Sequence, residues 1–488
     1  MFLGIDLGTS SVKAILVGER DDVLAEASAP LPVSRPRPLW SEQDPDDWWR
    51  ATETALDGLA ASRPQMLADV AAIGLSGQML GVTLLDERDL PLRPAILWND
   101  GRAGQQCEEL ERLVPGFADI VGCRAMAGFP APKLRWLRAN EPDRLDRARR
   151  ILLPKDVLRL KLTGEAATDA ADGSATLLMR TQDAAWDEAL LSATGVRAHQ
   201  LPGIAGSTQV AGELRAEWSR RWKLPPRTPV VGGAGDNMCG AVGAGVVEPR
   251  QACISLGTSG VYVRTDARFL PAQGGGMHTH RHAVQGLFLQ NGCILSAGAA
   301  LNWVAGLVGA ADVSALLDEV EAAVVPPSET PVFTPYLSGE RTPHDDPALT
   351  AAFSGLTLST TRLHLVQSIL EGTALALGDC HSALAGADNA VDRVRLVGGG
   401  SRSRLWSSLI ASEIGRPLEL SGTGAYGPAL GAARLARAGL NGPLIADDRL
   451  DDVFEPRSDL ADALKSKRPA FASHLALRRV GGAGVSRA

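Results

Sequence analysis

Tyrosine is scarce in this 488-residue chain, with 3 copies, and aromatic residues make up only 5% of it. The six cysteines, at positions 107, 123, 239, 253, 293 and 380, form no CxxC pair. That scatter excludes a zinc or disulfide framework of the usual spacing and suits free thiols in a reducing compartment. No apolar run approaches 18 residues, and a strand-like segment begins at Phe2 with no charged n-region before an apolar h-region. Neither a membrane span nor a secretory leader is expected, and the expected location is cytoplasmic. Basic charge is not in excess, because 49 Lys+Arg against 56 Asp+Glu leave a net charge of -7. This argues against a nucleic-acid partner, and Arg147, Arg149 and Arg150 read as solvated helix surface. A GxxxxGK[ST] stretch is missing too, which excludes a P-loop ATPase.

What is present is an ordinary globular composition, 45% hydrophobic and 22% charged, over a length that suits two large domains. It also contains a repeat. "GIDLGTSSV", starting at Gly4, returns as "CISLGTSGV", starting at Cys253. Aligning Gly8 with Gly257 also aligns Ile5 with Ile254, Leu7 with Leu256, Thr9 with Thr258, Ser10 with Ser259 and Val12 with Val261. Each copy reads as two strands joined by a glycine turn, followed by helical periodicity, as an α/β domain requires. The expected domains are 1–247 and 248–440, with a C-terminal extension 441–488 whose last residues, "GGAGVSRA", are expected to be disordered. Asp44, followed by Pro45, is expected to cap a helix.

Chemistry concentrates at the glycine turns. Backbone N–H groups there, with the Thr9 and Ser10 hydroxyls, can face an anion, so two such hairpins could hold a nucleotide's phosphates; a plain β-hairpin is the simpler alternative. The copies differ at one place: Asp6 stands where the second has Ser255. A carboxylate beside phosphate calls for a cation between them, and Mg²⁺ binds in this way. Asp236, after "VVGGAG", sits at a strand's carboxyl end and could accept a hydroxyl proton, or it could simply shape an Asx turn or a helix N-terminus. Two further motifs point elsewhere. "GTGAYG", Gly422 to Gly427, has dinucleotide-binding spacing but does not lead into a βαβ unit. "MHTHRH" puts His278, His280 and His282 on one face and reads as a solvated strand or loop rather than a zinc site.

Taken in order, "GIDLGTSSVK", "PLWSEQDPDDWW", "GQM", "RPAILWNDGR", "LLPKDVLRLKLTGE", "GDN", "SLGTSGVY", "PYLSGERTPH", "LVGGGSRSRLW" and "GPALGAARLA" give a chain that resembles the FGGY carbohydrate kinases, and within them the branch that phosphorylates D-xylulose. The resemblance implies an α/β fold of two actin-like, RNase H-type ATPase domains, with ATP and sugar in the cleft between them. It implies an ATP:sugar phosphotransferase making D-xylulose 5-phosphate. Asp236 matches the catalytic base and Asp6 the magnesium-side aspartate, so Asp6 and Asp236 are the candidate metal residues. ATP is expected at Thr9, Ser10, Gly257, Thr258, Gly298, Asn302, Gly399 and Gly400, although the last four also suit helix packing and a strand-to-helix turn. The sugar is expected at Met79, Leu80, Trp98, Asp100, Asp236 and Asn237, and a homodimer is a candidate assembly.

One residue departs from the family's pattern. Where the sugar kinases of this branch usually read Met-His, this chain has Met79-Leu80, and leucine can neither donate nor accept a hydrogen bond. Another ketose, a deoxy sugar or a polyol is the alternative substrate, and an actin- or Hsp70-like non-metabolic ATPase the alternative class.

Overall fold

The computed structural model describes residues 1–323, 325–385, 391–422 and 426–481, with 474–481 described by backbone alone. Its first half is built on a mixed sheet. Phe2–Leu7 and Ser11–Val17 form the expected hairpin, Val23–Pro30 adds to its outer edge, and Ala72–Gly77 runs parallel to Phe2–Leu7 on the other side. Pro229–Val231 lies parallel beyond that, and Val210–Glu213 closes the edge antiparallel. The central strands read as aliphatic runs because the sheet is covered on both faces. The helix Pro45–Ser62 begins as expected, with Asp44 accepting from the Asp46 amide and Pro45 in the first turn.

Among the described residues the second sheet repeats this plan. Gln251–Leu256 pairs antiparallel with Gly260–Asp266 and then Phe288–Ile294. On the other side come Arg393–Val397 and Leu418–Ser421, both parallel, and an antiparallel Leu450–Phe454. The added strand His278–Arg281 extends the hairpin edge. This is the α/β pair of actin-like units expected from the repeat. The hairpins are not in the same register, however: Leu7 faces Val12, whereas Leu256 faces Gly260, so the second turn is one residue tighter. Val12 thus corresponds across the sheet to Gly260 rather than to Val261.

The halves are joined by two helices. Asp236–Gly243 follows the first sheet, and Gly427–Gly439 follows the second sheet yet packs against Phe2–Leu7 and Ala72–Gly77. They meet so closely that a Cβ on Gly431 would stand 1.9 Å from the Cys239 carbonyl oxygen, and one on Gly74 1.8 Å from that of Ala432. Glycine is needed at both places because only hydrogen fits. One apolar cluster, including Phe2 and Val17 of the first sheet and Cys253 and Val263 of the second, surrounds this junction. Residues 78–209 form an insertion with an apolar core of its own around Leu110, Phe129 and Leu134.

Several smaller expectations meet the structure here. All six cysteines are unpaired thiols. Arg147 ends the helix Pro142–Arg147, but Arg149 lies past it and Arg150 opens the strand Arg150–Leu152 beside Asp89, so the solvated surface is present without a single helix. Pairing with Thr83–Leu85 takes over at Arg150 and ends the helical run. Of "GTGAYG", residues 423–425 lie outside the described residues, as does the tail beyond Gly481. Leu418–Ser421 and Leu450–Phe454, which flank the following helix, pair antiparallel, so no βαβ unit is completed. Among the described residues no helix is long and apolar enough to cross a membrane.

Candidate active site

Asp6 is the next-to-last residue of its strand, facing Lys13 across the hairpin and Ser76 on the parallel neighbour. Burial pushes its carboxyl up to about 6, against the Ser76 hydroxyl and the Lys13 charge, which pull it down. Its Oδ1 has no hydrogen-bond partner. The turn that follows is closed by the Gly8 amide donating to the Ser11 carbonyl at 3.0 Å.

Side chains of the insertion, together with Gln43 of the short strand Glu42–Gln43, hold that turn. The Trp98 indole donates to the Thr9 hydroxyl at 2.9 Å, which in turn donates to Gln78 Oε1 at 3.2 Å. Gln43 Nε2 donates to the Thr9 carbonyl at 2.7 Å, and Gln43 Oε1 accepts from Gln78 Nε2 at 2.7 Å and from the Trp48 indole at 2.9 Å. Thr9 is therefore committed to this network, while Ser10 beside it is exposed. Sequence reasoning singled out neither Gln43 nor Gln78, although both stand in the stretches "PLWSEQDPDDWW" and "GQM" that carried the resemblance.

Asp236 opens the helix Asp236–Gly243 directly after the short strand Ala234–Gly235, and its Oδ1 accepts from the Asn237 amide at 2.8 Å. Removal from water, and then the charge of Asp6, push its carboxyl up to about 7. Asn237 is exposed next to it. Met79 lies against the same turn, its Cγ 2.4 Å from where a Gly235 Cβ would stand. Leu80 adopts a left-handed backbone with φ 68°, and its carbonyl accepts from the buried Lys133 ammonium at 2.9 Å. Burial pushes Lys133 well below the usual lysine range. Trp98 is 45% exposed, as a wall of a cleft can be. Asp100 is buried and accepts from the Ser41 amide at 2.7 Å and from the Arg102 guanidinium at 2.8 and 2.7 Å. Arg102 itself lies 3.5 Å from the Trp40 ring centre.

Behind Asp236 is a buried ion cluster with no counterpart in the sequence reading. Lys155 meets Asp156 and Asp169 at 2.6 Å each and Asp172 at 3.4 Å. Arg159 meets Asp156 at 2.6 Å and also donates to the Gly232 carbonyl. Three acids thus face two bases, and burial, followed by the neighbouring acids, pushes Asp172 well above the usual carboxylate range. The cluster braces the turn that presents Asp236.

In the second half the nucleotide candidates converge. The Gly257 amide donates to the Ser259 carbonyl at 3.0 Å. The Gly257 carbonyl accepts from the Gly298 amide at 3.0 Å, and the Thr258 carbonyl accepts from Ala297 and Ala299 at 3.1 and 2.9 Å. Gly298 begins the helix Gly298–Leu307, on which Asn302 is exposed one turn later. Gly398, with φ 96°, and Gly400 press on Leu256, while Gly399 has open space where a side chain would be. Helix N-terminus, glycine turn and hairpin are the groups that suit anionic phosphates.

The histidine motif is corrected. His278, His280 and His282 are 7%, 2% and 4% exposed rather than solvated. The strand carrying them is clamped against the insertion: the Thr279 amide donates to the Gly122 carbonyl at 3.0 Å and the Arg281 amide to the Ser174 hydroxyl at 3.0 Å.

Residues 1–243 match the FGGY family of carbohydrate kinases, N-terminal domain, and residues 252–440 its C-terminal domain. The chain is 42% identical over 464 residues to a xylulose kinase of Escherichia coli strain K12, covering 95% of each. It is 43% identical over 483 residues to one of Klebsiella pneumoniae, covering 96% of this chain and 99% of the relative. A crystal structure of a xyloylose kinase from Brucella ovis superposes with a TM-score of 0.92 at 41% identity, covering 99% of each chain. One of a xylulose kinase from Rhodospirillum rubrum gives 0.89 at 30% identity, covering 98% of each.

Proposed function

The chain belongs to the FGGY family of carbohydrate kinases, and from that premise we propose that it transfers the γ-phosphoryl group of ATP to the terminal hydroxyl of D-xylulose, giving D-xylulose 5-phosphate. It is an ATP-dependent sugar kinase, and its likeness to enzymes named xylulose kinase over nearly the whole chain supports the ketose.

The observation that carries the mechanism is Asp236 at a helix start beside Asp6, with its proton affinity raised to about 7. A base is most effective when its pKa lies near the working pH, so Asp236 takes the hydroxyl proton as the sugar oxygen attacks phosphorus. The buried, unpartnered Oδ1 of Asp6 is a hard oxygen donor of the kind a small divalent cation takes, so Asp6 with Asp236 would hold Mg²⁺. Bound there, the ion offsets charge on the phosphates. The Gly257–Thr258 turn and the positive end of the dipole of the helix Gly298–Leu307 orient the phosphate chain with Ser10, while Asn302, Gly399 and Gly400 line the nucleotide's path. Met79, Leu80, Trp98, Asp100 and Asn237 border the sugar. Closure of the halves 1–247 and 248–440 on each other excludes water, the competing acceptor. The extension 441–488 follows, the enzyme acts in the cytoplasm without a nucleic-acid partner, and a second copy is the partner to seek by sedimentation.

Leu80 is the observation that favours a second reading, in which another ketose, a deoxy sugar or a polyol is preferred. ADP release measured over a panel of such sugars tests both. Highest kcat/KM on D-xylulose is expected; a tenfold or greater preference for another sugar overturns the substrate, and sugar-independent ADP release overturns the kinase.

A further inference from the structure

The strand His278–Arg281 is joined to two parts of the sugar side. Its Arg281 amide is bonded to Ser174, on the short helix Ala170–Ser174. That helix also packs on Ala234–Gly235, where Asp172 Oδ1 stands 3.1 Å from the place of a Gly235 Cβ, next to Asp236. On the other flank, the rings of His278 and His280 lie 5.6 and 5.7 Å from the Phe129 ring. Phe129 follows Gly128, whose Cβ would come within 2.1 Å of the Trp98 carbonyl oxygen. The histidine rings therefore stand against the support of Trp98, and the backbone of their strand against that of Asp236. Leu80 packs into the apolar cluster that contains Phe129, and also into the one that contains Ala171 of the short helix.

His280 is 2% exposed, and neither of its ring nitrogens has a hydrogen-bond partner. His278 Nδ1 is unpartnered as well, whereas His282 Nδ1 accepts from the Val284 amide at 2.9 Å and serves its own turn. A buried imidazole with both nitrogens unmet is costly, and a neutral one offers one donor and one acceptor, the same pair that a sugar hydroxyl needs. Burial pushes His280 down to about 3, which keeps it neutral.

We propose that His280, backed by His278, hydrogen-bonds a hydroxyl of the ketose from the second half of the chain. This rests on the ketose-kinase reading. It makes the sugar a ligand of both halves, so that sugar binding favours the closed arrangement.

The test uses the full-length enzyme, with sugar affinity read by calorimetry without ATP and kinetics read against both substrates. His280→Phe keeps a flat ring beside Phe129 and removes both nitrogens. Binding of D-xylulose should weaken about tenfold, with KM for ATP within about twofold of the parent's. In a series of monodeoxy ketoses, the analogue lacking the contacted hydroxyl should bind parent and variant alike. A folded His280→Phe with parent affinity overturns the proposal, and so does a loss that is equal for every analogue, which marks general packing damage. Should His280→Phe not fold, His280→Asn is held to the same analogue comparison. If the parent prefers a different sugar, the substrate reading falls and the series is built on that sugar. If D-xylulose is the substrate and no analogue stands apart, the His280 contact alone falls.

Discussion

The hairpin at Gly8 and the hairpin at Gly257 have the same apolar strand and the same Gly-Thr-Ser turn, yet different neighbours hold them. Around Thr9 the contacts come from side chains, Trp98 and Gln78 of the insertion and Gln43 ahead of it, so the first turn is tied to the insertion. Around Thr258 they come from the backbone amides of Ala297 and Ala299, so the second turn is tied to a helix start. The carboxylates follow the same division, with Asp6 on the first strand and Ser255 at its place on the second. One turn motif can thus serve two purposes. Joined to acids and side chains it suits a proton or a cation; joined to a helix N-terminus it suits negative charge.

The sharpest way to break this comparison is at the acid end. Asp236→Asn should lower kcat by roughly 10² to 10⁴ while leaving sugar affinity near the parent's; turnover by a folded variant within tenfold of the parent would remove Asp236 from the mechanism. In the parent, kcat/KM should fall about tenfold per unit as pH drops below the pKa of the base, because Asp236 must be ionised to accept a proton.

Next in size is the contrast between the copies. Asp6→Ala should reduce magnesium-dependent turnover by about 10² or more, and Ser255→Ala by no more than about threefold. Equal losses in the two variants, measured across a magnesium titration, would end the asymmetry argument.

A smaller effect is expected at Leu80. Its left-handed backbone suits histidine better than leucine, since His is enriched there. Leu80→His should therefore fold and lower KM for D-xylulose by about threefold to tenfold, from one added hydrogen bond. An unchanged KM would mean that the sugar makes no polar contact at that place.

The smallest effect is on stability. The folded pKa of Asp236 is raised from 3.8 to about 7, so its contribution is fully present below pH 3.8 and is lost as pH rises through 7. Asn lacks this loss. With magnesium chelated, the Tm of Asp236→Asn relative to the parent should rise by about 2 °C or more between pH 5 and pH 8. A constant difference would show that Asp236 is not buried as an acid.

Much of this was legible because it is local. Asp44 and Pro45 announce a helix start through their own backbone preferences, and the repeat announces two hairpins through apolar runs broken at glycine. Asp6 stood out because its counterpart is a serine. The one-residue difference in hairpin register was not legible, since aligned letters do not say how tightly a turn closes. The histidine strand misled for a related reason. Its alternating His-Thr-His pattern looks solvated until residues more than 100 positions earlier, Gly122 and Ser174, are packed over it.

By its sequence alone the chain determined the pair of α/β units, their glycine turns and the single aspartate that tells the turns apart, because strand, turn and cap preferences act over a few neighbouring residues. The tertiary structure alone decided that the helix Gly427–Gly439 would cross to the first sheet, that Lys155 and Arg159 would brace the turn before Asp236, and that His280 would be buried without a partner. Burial and the fields that shift a carboxyl to about 7 are sums over groups far apart in the chain, and only folding brings those groups together.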